Sequence, residues 1–178
     1  MGNELHHADY SSFGRLSKRE VLEALQASYE ALAMDTSHWV SNLANAASLL
    51  WYAYRSLEVP INWAGFYVVD QKTEGDLVLG PFQGKVACQS ITLGKGVCGV
   101  AALTKTTQCV PDVSKFPGHI ACDGETQSEI VVPIISGNDV VAVLDIDCLA
   151  KDAFNKEDEE MLESLARLIS SSNKWHHA

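Results

Sequence analysis

The chain has 178 residues, 47% of them hydrophobic, which suits one domain with a full core. Its 23 acidic against 13 basic side chains give a net charge of -10. That balance argues against nucleic acid and against an anionic membrane surface, since both are held by clustered Lys and Arg. No apolar run approaches a membrane span. The polar opening, residues 1–13, lacks the basic and apolar regions of a secretory leader, so the cytosol is the expected compartment, with the nucleus open to diffusion.

In chain order, residues 1–16 read as a flexible arm and residues 17–178 as the domain. Ser17 with Glu20 forms a capping box, after which Val21, Leu22, Leu25, Tyr29 and Leu32 recur at helical spacing. A second helix is predicted over 39–57, its apolar face made of Leu43, Ala46, Ala47, Leu50, Trp51 and Tyr54, and Pro60 closes it. Strands are predicted over 61–69 and 77–82, joined across Thr73-Glu74-Gly75-Asp76, and a third over 85–93. Gly94-Lys95-Gly96 breaks the pattern and opens a short helix over 97–104. A short strand over 107–110 and a long loop over 114–128 follow. The segments 129–135 and 140–149 form a hairpin over Gly137-Asn138-Asp139. A last helix begins at Asn155 as N-cap, with acids in its first turns, and buries Met161, Leu162, Leu165, Leu168 and Ile169.

That order predicts an α+β fold, a central antiparallel sheet with helices packed on one side. The other sheet face is then free for a ligand pocket roofed by the 114–128 loop, and loops of that length in small domains are usually functional.

Five cysteines make an odd count, so a secreted disulfide framework is not expected. No C-x-x-C or H-x-x-x-H spacing occurs, and the pairs His6-His7 and His176-His177 lie at opposite ends, so no metal site is expected. Cys88, Cys98 and Cys122 lie beside glycines, small residues and acids, and read as accessible thiols. Cys98 follows a glycine turn at a helix start, where the helix dipole lowers a thiol pKa. Cys109 and Cys148 read as small apolar packing residues.

Asp145 and Asp147 are two apart in a strand and share a face. Glu129 begins the partner strand, so the hairpin brings three acids together. Such a cluster suits a cation, and crowding raises carboxyl pKa values, leaving one group protonated near neutrality. The bland alternative is a solvated strand face, which two Asp inside an apolar run make less attractive. Trp63 and Tyr67, four apart in a strand, share a face as an aromatic wall or as plain core. His119 stands near Cys122 as a candidate partner for it or as an ordinary loop residue. Thiols beside acids suggest redox chemistry on a small cationic molecule, with no cofactor.

The motifs Ile61-Asn62-Trp63-Ala64-Gly65-Phe66-Tyr67, Gly80-Pro81-Phe82-Gln83-Gly84-Lys85-Val86-Ala87-Cys88, Gly94-Lys95-Gly96-Val97-Cys98-Gly99, His119-Ile120-Ala121-Cys122-Asp123 and Ser128-Glu129-Ile130-Val131-Val132-Pro133 resemble the free methionine-(R)-sulfoxide reductases, small proteins of GAF fold. The resemblance covers about residues 17–172. It implies reduction of free L-methionine-(R)-S-oxide through a cysteine sulfenic acid and a disulfide, recycled by a thioredoxin-like dithiol. It joins Cys88, Cys98 and Cys122 in one redox set; within it we expect Cys122 as nucleophile and Cys88 as main resolving thiol, with Cys98, at its helix start, a rival nucleophile. It places Trp63 and Tyr67 at the substrate pocket, where the Glu129, Asp145 and Asp147 cluster would hold the ammonium of the substrate. A non-catalytic GAF sensor of a small molecule or of redox state is the alternative, although three carboxylates would repel a phosphate ligand. Monomer and homodimer both remain open.

Overall fold

The computed structural model describes residues 6–70, 75–120 and 122–175. Two long helices come first, α1 (Lys18–Ala33) and α2 (Trp39–Ser56). The strands β1 (Ile61–Val69), β2 (Asp76–Gly84) and β3 (Ser90–Thr92) follow, then the short helix α3 (Gly96–Thr104) and β4 (Gln108–Val110). The hairpin of β5 (Ser128–Ser136) and β6 (Asp139–Cys148) leads into α4 (Lys156–Ser172). The six strands form one sheet in the order β3-β2-β1-β6-β5-β4, antiparallel at every pairing. The α+β class with an antiparallel sheet is therefore as the sequence predicts.

The helix starts are fixed by their caps. Ser17 Oγ accepts from Glu20 N–H while the Glu20 carboxylate accepts from Ser17 N–H, the reciprocal box expected from the spacing. Asn155 accepts from the amides of Glu157 and Asp158, and Asp158 accepts from Asn155 N–H. Asp158 does more than cap. Fully buried, it also accepts from Lys18 Nζ at 2.7 Å and from Tyr54 Oη at 2.9 Å, so α1, α2 and α4 share one carboxylate.

Period-two alternation divides the sheet. Ala64, Phe66, Ile130, Val132, Ala142, Leu144 and Ile146 pack against α1, α2 and α4 in the main core. Trp63, Tyr67, Val131 and Val143 face the other way, where α3 and the loops cover them with Val97, Cys98, Ala101 and Val113. Gly94 (φ 80°) and Gly96 (φ 61°) make the left-handed turn that starts α3, a backbone that favours glycine.

Two local expectations change. The strand expected over 85–93 survives only as Ser90–Thr92, because Gly84 at φ 129° turns the chain out of the sheet and leaves Val86 89% exposed. The loop expected over 114–128 opens inside a short 3-10 turn, Val113–Lys115, capped by Asp112, and ends one residue earlier because Ser128 starts β5. Of residues 1–16, those from His6 onward contain a 3-10 turn, His7–Ser11, and Tyr10 and Phe13 pack against the helical core. The turn at Thr73-Glu74 and the pair His176-His177 lie outside the described residues.

Candidate active site

The floor of the site is written by strand register. Trp63 on β1 pairs with Asp147 on β6, and Asp147 pairs with Glu129 on β5, so the three stand in one row across the sheet. The next row is Gly65, Asp145 and Val131, and the next holds Tyr67 and Val143. Period two aims all of these side chains at the face away from the long helices. The three acids meet there, as the hairpin implied. Gly65 keeps the floor open to the indole beside it: a Cβ there would lie 2.8 Å from Trp63 Cη2.

The aromatic wall is a stack. The Trp63 ring lies 5.2 Å from that of Phe82 and 5.8 Å from that of Tyr67, nearly parallel to both. Tyr67 also has a polar task, donating from Oη to the carbonyl of Cys88 at 3.0 Å. Burial and the surrounding acids push its phenol well up, which keeps it a donor.

The roof carries the sulfurs. Cys88, on the segment that leaves β2, and Cys122, on the 114–128 loop, form a disulfide with Cα atoms 5.6 Å apart. Cys122 is exposed and Cys88 half-buried. The loop is anchored beside Cys122: Asn62 Nδ2 donates to Asp123 Oδ2 at 3.1 Å and to Thr126 Oγ1 at 3.0 Å. Lys85 pairs with Asp123 and Glu125, tying the Cys88 segment to the same loop.

Cys98 departs from expectation. It is only 3% exposed, and its Sγ donates to Asp145 Oδ2 at 3.3 Å. Burial, then the charges of Asp145 and Glu129, push its thiol well up rather than down. The helix dipole loses here because desolvation and two nearby carboxyls oppose a thiolate more strongly than one short helix supports it. Cys109 and Cys148 are free thiols outside the pocket, bonded to the carbonyls of Phe154 and Pro60.

The acids are strongly perturbed. Burial raises Glu129 to about 7, against a lowering contribution from His119, whose Nε2 lies 3.6 Å from Glu129 Oε2. Burial, then Glu129, pushes Asp145 well up; burial, then Asp145, does the same for Asp147. Cys98 Sγ and one oxygen each of Glu129 and Asp145 lie within 4.8 Å of one another, a gathering that suits a cation. Asp145 Oδ1 and Trp63 Nε1 are buried with no hydrogen-bond partner, and both residues line the cavity. Buried polar atoms of this kind are expected to meet a polar ligand.

Of the residues picked from sequence, Trp63, Tyr67, Cys98, Cys122, Glu129, Asp145 and Asp147 line this one cavity, and Cys88 joins it through the disulfide. Lys85, Asp123 and Thr126 were missed, as was the anchoring role of Asn62. The available signal was proximity: Asn62 precedes Trp63, and Asp123 follows Cys122. His119 turns to Glu129 rather than to Cys122.

Comparison with known proteins places the chain. Residues 44–172 match the GAF domain family. A free methionine-R-sulfoxide reductase of Saccharomyces cerevisiae is 60% identical over 169 residues, covering 94% of each chain. A solved GAF domain superposes with a TM-score of 0.95 at 58% identity, over 98% of this chain and 99% of that one. The free methionine-R-sulfoxide reductase of Neisseria meningitidis, solved in complex with its substrate, gives 0.83 at 37% identity, over 90% and 93%. The chain belongs to the GAF domain family and, within it, to the free methionine-R-sulfoxide reductases.

Proposed function

We propose that the protein reduces free L-methionine-(R)-S-oxide to methionine, with Cys122 as nucleophile and Cys88 as resolving thiol. The observation that carries this is the Cys88–Cys122 disulfide set over a cavity floored by three acids and walled by Trp63. The reading of the substrate rests on the relatives, which are named for this activity.

The chemistry follows from the groups present. The Cys122 thiolate attacks the sulfoxide sulfur while a proton is delivered to its oxygen, giving methionine and a Cys122 sulfenic acid. The substrate sulfur gains two electrons and the thiol loses them. Cys88 then attacks the sulfenic sulfur, water leaves, and the disulfide results. An external dithiol of the thioredoxin class restores both thiols by exchange.

Asp145 and Asp147 take the α-ammonium, which supplies the partner that Asp145 Oδ1 lacks. Glu129 is the proton donor, since a carboxyl raised to about 7 still holds its proton in part at neutral pH. The Trp63 ring packs on the methyl-sulfinyl end. Cys98, held neutral, orients Asp145. The deciding experiment is turnover with dithiothreitol and then with thioredoxin. Reduction of the free R epimer with the S epimer spared supports the proposal. Equal rates on both epimers, or faster reduction of peptide-bound sulfoxide, overturns it.

A further inference from the structure

We infer that His119 is a positioning residue that relays protons from solvent to Glu129, an inference that rests on the reading of Glu129 as donor. Each turnover removes one proton from the donor, since thiolate, sulfoxide and proton combine to sulfide and sulfenic acid. The donor must therefore be reloaded from outside a site where its own side chain is only 8% exposed.

Few groups can do this. The titratable groups facing Glu129 are Asp145 and Asp147 on β6, Cys98 on α3, Tyr67 on β1 and His119 on the loop; the Tyr67 phenol is pushed well up and its Oη already donates to the Cys88 carbonyl. An ammonium seated on Asp145 and Asp147 holds both ionised. Cys98 keeps its proton and donates it in a hydrogen bond to Asp145. His119 remains, with Nε2 at 3.6 Å from Glu129 Oε2 and a side chain 17% exposed, twice the exposure of the carboxyl it faces. Imidazole also carries two ring nitrogens, so it can receive a proton on one and pass one on from the other.

The backbone is built to aim it. His119 N–H closes a turn on the Phe116 carbonyl at 3.2 Å, and Gly118 sits at φ 73°, where a side chain would be strained. That turn brings the ring inward from a loop that is otherwise largely exposed.

The test uses His119→Ala and His119→Asn in the full chain, with dithiothreitol as reductant so that no protein partner is involved. The expected result is a fall in kcat of about 10-fold or more, at the lower edge of general acid contributions, with KM little changed. Added imidazole should restore turnover of His119→Ala. The alkaline limb of the kcat profile should move to higher pH, because the imidazole that favours the Glu129 carboxylate is gone. A wild-type kcat in both variants overturns the relay. So does a lost kcat with an unmoved limb and no imidazole rescue, which would mean the ring only shapes the loop. Glu129→Gln separates the two levels: if it keeps wild-type kcat, the donor assignment fails; if it loses kcat while the His119 variants do not, only the relay fails.

Discussion

Cys98 on α3 gives its thiol hydrogen to Asp145 on β6 across 3.3 Å, which ties the roof helix to the floor of the pocket. A thiol in that bond, raised by burial, is a donor and not a nucleophile at neutral pH. Cys98→Ser should therefore keep turnover within a few-fold, since the hydroxyl still donates. Cys98→Ala should raise KM by about 10-fold, the size of a lost hydrogen bond to a charged group, with a smaller effect on kcat. Steady-state kinetics of the two variants checks this; equal, near-complete loss in both would make Cys98 a reacting thiol.

The exposed disulfide makes the companion prediction. Without reductant, the reduced protein should form one methionine and lose two thiols, and peptide mapping should find Cys88 joined to Cys122. Cys122→Ser should form no methionine. Cys88→Ser should form about one per chain and then stall when thioredoxin is the reductant, because no disulfide forms for it to attack. Cys109→Ser and Cys148→Ser should behave as wild type. One equivalent of methionine from Cys122→Ser would reassign the nucleophile.

The acids should separate by kinetic parameter. On the proposed roles, Asp145→Asn and Asp147→Asn would remove ammonium contacts and should mainly raise KM, whereas Glu129→Gln would remove the donor and should lower kcat by about 100-fold or more. In the wild type, kcat should fall as pH rises through about 7, where Glu129 loses its proton, and that limb should vanish in Glu129→Gln. A pH-independent wild-type kcat above 7 would contradict the assignment.

Stability should record the same strain. A carboxyl raised from 4.5 to about 7 on folding binds its proton more tightly in the native state. Its contribution is full below 4.5 and is lost as pH rises through about 7, a span of up to about 3 kcal/mol. Glu129→Gln should therefore have a higher melting temperature than wild type at pH 8, and the gap should shrink toward pH 5. Asp158→Ala should do the reverse at neutral pH, costing about 3 kcal/mol, because it strands Tyr54 Oη and leaves Lys18 to seek water. Thermal melts at the two pH values check the first, and chemical denaturation at neutral pH measures the second.

The sequence carried the regular elements because period and caps are local signals. Ser17 with Glu20 and Asn155 with its acids marked helix starts, and the alternation through Asp145 and Asp147 put both on one face. The resemblance supplied the remaining site residues. What stayed hidden depended on distant partners. The segment 85–88 lies in the strand predicted over 85–93, yet the chain leaves the sheet past Gly84 and rejoins β2 only from Gln89, whose carbonyl accepts from Leu79 N–H. Cys98 sits at a helix start, but its neighbours are β-strand carboxyls 31 and 47 positions later, so its environment reverses the local expectation. His119 looked like a partner for the nearest thiol, and the turn at Gly118 sends it to an acid instead.

The Asn62 bridge to Asp123 and Thr126 does not depend on the oxidation state of sulfur. When the disulfide opens, the Cys122 loop stays fastened to β1, while Tyr67 still holds the backbone of Cys88. The sequence separation of 34 between the two cysteines then costs little further closure entropy, and each thiol meets the other at an effective concentration on the order of millimolar or above. On the proposed mechanism, a sulfenic acid formed at Cys122 would thus be short-lived. It would meet its own chain before a second oxidant, and the exposed sulfur would then work under oxidative conditions without advancing to the irreversible sulfinic state.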